Sequence, residues 1–486
     1  MKKRIILLLS LIPFFRLVLK FLYNYALKKL KILAENSDEI IDILLVSNMG
    51  DFDFIYGSSD LNIIFIVEDK VYPKEFLEST QVKLLTIWPA NLLVDIKNLS
   101  VLKNSELKTP LIRSTLLTRF EKEEIKWKSI LNSSVFEFNL KEQDHHNIQY
   151  HYIKKIEKML LNPRRENLIN RHWIRSFGKN MYFSLGGLIH YNLIDSPKDS
   201  SWKVLASRIT RFTLFSRSKY HLLKLKAFKL IDYTSIDQII IDHKNVSYND
   251  TLLDFCRSLI EFPIVEDIIL NPALIQLDME SIKGKVFIEL ILGQKKSQFT
   301  TDHLHHLQVG IDQFLNSLDE DHPKYVFQFT TYGLLKIKCE QALFSSPLEY
   351  NYRFQRSYSI SGYRYKFNPS MRQTEKACIQ FLMIEFMKFR SHKHSDYLIG
   401  SRFIKSLNII YRYQLVWNYL KGQEFAVSHS YKSIMDELTP QLQDIKPLQE
   451  VDEETWKLIR SQMLYILKRI RDELSKKNPS LKNLQF

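Results

Sequence analysis

Two residues near the amino end have the types and spacing to help hold a metal ion: Asp60 and Asn62. Asp60 and Asn62 stand two apart at the head of the β-branched run "NIIFIV". Alternate residues of an extended chain share a face, so these two side chains point the same way. Oxygen donors of this kind suit a hard cation such as Mg2+. A magnesium ion there would bridge the oxygens of a nucleoside triphosphate and activate an incoming hydroxyl. Just upstream lie Gly50, Gly57, Ser58 and Ser59, small residues that let backbone amides approach phosphate oxygens. With only 12 glycines in 486 residues, a small-residue turn directly before the most strand-like segment calls for a reason.

The stretch "GSSDLNIIFIV" resembles the DNA polymerase β-like nucleotidyltransferase superfamily, whose signature is a Gly-Ser turn followed by Asp-x-Asp or Asp-x-Glu on a strand. The resemblance covers roughly residues 37 to 110. It implies that Asp60 is the catalytic, metal-binding carboxylate, that Asn62 holds the second metal position, and that Asp95 substitutes for the third. It further implies Mg2+ as cofactor, a nucleoside triphosphate as ligand near Gly50, Gly57, Ser58 and Ser59, and transfer of a nucleoside monophosphate to a hydroxyl acceptor. RNA or another anionic molecule is the expected acceptor. The sequence departs from the pattern at two places. Asn62 is neutral, so it lends an oxygen but no charge to a cation. Asp51 follows Gly50 where the family carries Ser, and a carboxylate repels phosphates. A catalytically inactive relative, binding or scaffolding through its basic helical region on RNA or a membrane surface, is the alternative expectation. Residue types alone also allow a plain sheet edge in which Ser59 and Asp60 hydrogen-bond the turn.

The elements that must position these residues read as an α+β protein: a small mixed-sheet module followed by a large, mainly α-helical region. Residues 14–35 have a helical pattern, and 39–47 suggest a short helix running into a strand. "NIIFIVED" is a strand apolar on both faces, and Pro73 opens a helix. Residues 82–89, "VKLLTIWP", are expected as a third strand. The expected divisions are an amphipathic segment at 1–36, the α/β module at 37–110, a basic helical region at 111–318, and a helical region at 319–486 with a hairpin near 350–367. Breaks are expected at 196–201, 271–275, 319–325 and 367–370. Trp456, Ile459, Met463, Ile466 and Ile470 step by three and four, which marks a core face rather than a cofactor box. Gly186-Gly187 inside a helical pattern suggests close helix packing or a kink. No internal repeat is legible.

The net charge of +15 favours anionic partners. Residues 200–231 carry eight Lys or Arg and no acid between Trp202 and Ile231, with aromatics interleaved, as an RNA surface would. Cys256, Cys339 and Cys378 are scattered and odd in number, which excludes a disulfide framework and points to a reducing, cytoplasmic setting. The histidine groups 145–151 and 303–306 lack the spacing of a zinc site and read as solvated. The first residues combine cations with an apolar run, but Arg16 and Lys20 interrupt it before it could span a bilayer. A helix packed on the next domain, or touching a membrane surface through residues 5–33, is expected instead.

Overall fold

The computed structural model describes residues 12–45, 54, 56, 59–96, 99–104, 128–131, 142–161, 171–197, 199–211, 217–232, 250–277, 284–293, 301–319, 324–340, 358–363, 370–390, 399–422, 435–436 and 438–483. The chain forms two contact-dense units, one made mainly of residues up to 223 and the other mainly of residues from 224 onward.

In the first unit, helix α1 (Pro13–Glu35) leads into strands β1 (Ile40–Leu45) and β2 (Ile63–Val67). Residues 39–45 therefore extend directly as a strand, without a preceding short helix. Helix α2 (Pro73–Thr86) and the single turn α3 (Ala90–Leu93) follow, then β3 (Ser100–Lys103) and the short β4 (Lys128–Ser129). The sheet order is β3-β2-β1-β4, with β2 parallel to β3 and the other pairs antiparallel. All five β2 residues are buried, as its two-sided apolar run requires. The expected strand at 82–89 is instead the last turns of α2. Phe76, Thr80 and Leu84 recur every four residues and are buried, while Val82 and Leu85 are exposed, so the helical period begun at Pro73 prevails.

Helices α4 (Glu142–Ile156, continuing as a π-turn over Glu157–Leu161), α5 (Arg171–His190), α6 (Ser201–Arg211) and α7 (Arg217–Ile231) come next. Of the Gly186-Gly187 pair, Gly187 serves close packing, whereas a Cβ on Gly186 would meet only Trp202 at 4.0 Å. A Cβ on Gly187 would fall 2.0 Å from the Tyr152 ring, and one on Gly178 would fall 2.9 Å from Ile209 Cγ2 of α6.

The second unit carries a sheet within a region expected to be mainly helical, although the apolar runs "KVFIELIL" (285–292) and "YVFQFTTYGLLKI" (325–337) read as possible strands, and all of the first and the start of the second are strand. After α8 (Asp250–Ile260) come β5 (Val265–Leu277), β6 (Gly284–Leu292), α9 (Thr301–Asn316), β7 (Lys324–Thr331), α10 (Tyr332–Glu340) and β8 (Tyr358–Ser359). The break expected at 271–275 lies inside β5. A register irregularity between Asn271 and Gln276 accommodates Pro272, which lacks a ladder N–H. Helices α11 (Met371–Arg390), α12 (Phe403–Leu420), α13 (Pro440–Gln443) and α14 (Glu453–Ser475) complete the unit. In α14 the five-residue stripe from Trp456 to Ile470 is buried, as its spacing predicts.

The two sheets are copies of one design. The second has order β7-β6-β5-β8 with the same pattern of parallel and antiparallel pairs as the first. One constant numbering offset relates α1 to α8 at their last residues (Glu35, Ile260), then Ile40 to Val265, Asp42 to Asp267, Leu45 to Leu270, Ile63 to Ile288 and Val67 to Leu292. The 17 residues between Leu45 and Ile63 thus match the 17 between Leu270 and Ile288, into which β5 and β6 both extend. Both hairpins break register at the same place, after Ile40 and after Val265. Ser129 Oγ donates to Asp42 Oδ2 at 2.5 Å, and Ser359 Oγ donates to Asp267 Oδ2 at 2.6 Å. Ile130 N reaches Ile43 O, and Ile360 N reaches Ile268 O, each at 2.9 Å. The chain thus contains an internal structural repeat that the sequence reading did not find.

Candidate functional site

Helix α1 and helix α5 fix the turn that precedes the acidic residues. The Tyr23 hydroxyl, fully buried on α1, donates to the backbone oxygen of Ser59 at 2.5 Å. The Tyr23 ring also makes edge contacts with Phe54 and Tyr56, which meet each other edge-on at 5.4 Å. Three aromatic rings thereby pin the approach to Ser59. From the other side, Arg175 Nη2 of α5 donates to Ser59 Oγ at 3.0 Å. Ile174, Phe177, Met181, Leu185 and Leu188 bury one face of α5, which leaves the half-buried Arg175 beside that face.

The next residues enter the sheet. Leu61 is fully buried and forms a parallel bridge with Val94. Its amide donates to Leu93 O at 2.7 Å, and its carbonyl accepts from Asp95 N at 3.1 Å. This register sets Asp95 opposite Asn62 on the neighbouring segment, and Asp60 two positions earlier on the same face. All three residues are half-buried. The three residues expected from sequence as metal ligands thus occupy one end of one sheet. Gly50, Gly57 and Ser58 lie outside the described residues.

The oxygens offered are those of two carboxylates and one amide, a donor set that suits a single hard cation. Among the described residues no group of three or more His, Cys, Asp or Glu is placed to hold a metal. A cleft of about 500 Å³ in the same unit lies elsewhere. It is lined by residues including Lys29, Ile40, Phe76, Lys83 and Trp88. Ile40 pairs with Val67 whereas Leu45 pairs with Ile63, so this cleft sits at the opposite end of the hairpin from Asp60.

Two functional features were not found from sequence. Arg175 carried a signal, since Arg171, Arg175 and Lys179 recur every four residues on α5, but nothing local ties that helix to Ser59. Asp42 is fully buried and bonded to Ser129 Oγ, to Leu131 N and to Ile43 N, a role visible only once β4 is paired. The basic surface expected over residues 200–231 is smaller than its composition suggests. Lys224 is buried, whereas Arg208, Lys219 and Lys229 are exposed. His145 bonds the Tyr191 hydroxyl at 2.8 Å.

Compared with protein-family models, with curated proteins and with solved structures, the chain matches none of them.

Proposed function

We propose that the first unit is a nucleotidyltransferase-like module that binds one magnesium–nucleoside triphosphate and transfers its nucleoside monophosphate to a hydroxyl of an anionic acceptor such as RNA, the acceptor oxygen bonding to the α-phosphorus as the bond to the β-phosphate breaks and pyrophosphate leaves. The bridge between Leu61 and Val94, which brings Asp95 alongside Asn62, carries this reading. Asp60 and Asp95 would supply charge to the cation, and Asn62 a neutral oxygen. Arg175, held by Ser59, stands where a guanidinium can neutralise phosphate oxygens with paired hydrogen bonds. When bound, magnesium would supply charge neutralisation at the transferring phosphoryl group. The exposed Arg208 and Lys219 of the same unit would draw a polyanionic acceptor.

The internal repeat supports the assignment. Positions that the fold needs are the same in both copies: Asp42 and Asp267, Ser129 and Ser359. Positions of the acidic rim differ. Lys285 stands in the place of Asp60 and Phe287 in that of Asn62, while the Val286–Tyr325 pairing puts Val326 in the place of Asp95. The second sheet forms with Lys285, Phe287 and Val326 at these positions, so this sheet design does not itself require Asp60, Asn62 and Asp95.

Calorimetric titration with each nucleoside triphosphate, with and without Mg2+, tests the reading. Magnesium-dependent binding of one nucleotide per chain, lost in Asp60→Ala, is the expected result. No binding of any triphosphate would refute it. The neutral Asn62 favours a second reading, nucleotide binding without transfer. Binding with no product in a single-turnover assay across hydroxyl acceptors would select that reading.

A further inference from the structure

Helix α1 has two apolar faces, and the core uses only one. Tyr23, Ala26, Leu30 and Ala34 are buried against the first sheet. Phe14, Leu17, Val18 and Phe21 form a second row at spacings of three and four, and Phe14, Leu17 and Phe21 are 68%, 66% and 66% exposed. The row continues beyond the helix. The Phe21 ring stacks on Tyr25 at 6.2 Å, Tyr25 meets Trp88 at 6.1 Å, and both Trp88 and Leu92 are exposed. A packed helix that ended its task at the core would present polar residues here. Scattered exposed apolar residues are ordinary, but a contiguous aromatic and aliphatic strip marks an interaction surface.

The charge around the strip identifies the partner. No acidic residue precedes Glu35, and the exposed Arg16 and Lys20 lie within the same turns as the apolar row. We infer that this face docks in the plane of an anionic lipid surface, with Phe14, Leu17, Phe21 and Trp88 in the acyl boundary and Arg16 and Lys20 at the headgroups. Aromatic rings flanked by cations on long apolar stems suit that boundary, where ring and stem are buried and the charge stays wet. No helix among the described residues is long and apolar enough to cross a membrane; the packing of Tyr23, Ala26 and Leu30 on the sheet holds α1 along the surface it would meet. A second copy of the chain fits poorly, because Arg16 and Lys20 lie about 100° or more around the helix from the centre of the row and would have no part in face-to-face pairing. RNA fits poorly as well, because phosphates gain nothing from an apolar row.

Vesicle flotation of the full chain tests the inference independently of any nucleotide chemistry. Vesicles would be phosphatidylcholine alone, or equal parts phosphatidylcholine and phosphatidylglycerol. The chain should float with the anionic vesicles and much less with the neutral ones. Leu17→Glu with Phe21→Glu should abolish flotation, and Arg16→Glu with Lys20→Glu should weaken it by about ten-fold or more. Both pairs are exposed, and unchanged thermal unfolding would show that the fold survives. Absence of flotation, or flotation unchanged in both variants, overturns the inference. So does a chain that fails to float yet sediments as a dimer dispersed by Leu17→Glu, which would give the face to a second copy.

Discussion

Asp42 and Asp267 occupy one position in two copies of the same sheet, and each holds the serine of its fourth strand, Ser129 or Ser359, through a short hydrogen bond. Each aspartate follows a register irregularity in its hairpin, where the bulged strand turns a polar side chain inward. A buried carboxylate with several donors is stable in place, and its removal leaves those donors without a partner.

Asp42→Ala and Asp267→Ala should therefore each destabilise their own unit by about 1–3 kcal/mol. Urea unfolding, followed by a probe in each unit, would check this. A variant with an unchanged midpoint would show that the clamp is dispensable.

The acidic rim should behave oppositely. Asp60→Ala and Asp95→Asn should leave the unfolding midpoint within about 0.5 kcal/mol of the parent, since both residues are half-buried at a sheet end. Both should lose magnesium-dependent nucleotide binding. Asn62→Asp adds the missing charge and should tighten Mn2+ binding, measured by electron paramagnetic resonance, by about ten-fold. Tighter binding by Asp60→Ala than by the parent would contradict the assignment.

Arg175→Ala should weaken triphosphate binding more than monophosphate binding, because its guanidinium faces the turn rather than a base. Arg175→Lys should restore only part, since an ammonium lacks the planar fork. Equal losses for both nucleotides would make Arg175 a brace for Ser59 alone.

Two groups of the second unit, the half-buried Asp232 and the buried Lys224, shape its stability against pH. Burial, with the nearby Glu266 adding to it, pushes Asp232 up to about 7. Burial pulls Lys224 down to about 7, against the attraction of Asp302. As pH rises from the ordinary carboxylate range toward 7, the folded chain keeps a proton on Asp232 that the unfolded chain has released, so this contribution to stability falls. From 7 up to the ordinary lysine range the unfolded chain keeps a proton that folded Lys224 has lost, so that contribution rises. The pair should produce a dip in stability near neutrality. Denaturant midpoints across this range should show it, and Asp232→Asn with Lys224→Met should flatten it. A midpoint that peaks at neutral pH in the parent and is unchanged in the double variant would count against both assignments.

Gly187→Ala should destabilise the first unit by about 1–3 kcal/mol, because its Cβ would meet the Tyr152 ring at 2.0 Å. Gly310→Ala, with open space around it, is the control and should be neutral or slightly stabilising, as a helical glycine lost. Thermal unfolding of the two variants separates packing from propensity.

Much of the local structure was legible because it obeys a period. The two-sided apolar run at β2, the stripe of α14 and the proline opening α2 each satisfy a rule that spans only a few residues. The strand expected at 82–89 failed because its apolar residues also continue a helical face begun nine residues earlier at Pro73. A short apolar run is compatible with both periods, and only packing chooses.

The repeat was illegible for a related reason. Asp42, Ile43, Leu45, Ile63 and Ile66 are identical to Asp267, Ile268, Leu270, Ile288 and Ile291, but these positions are mostly core aliphatics that recur throughout such a chain. The loops between them share little, because a loop need only close a given distance. By itself the sequence determined the candidate residues Asp60, Asn62 and Asp95, the types of most elements, and the basic charge. Tertiary structure alone decided that Asp95 pairs beside Asn62, that Arg175 reaches Ser59, and that half of α1 remains uncovered. Each of those facts depends on contacts between segments distant in sequence, and no local period encodes them.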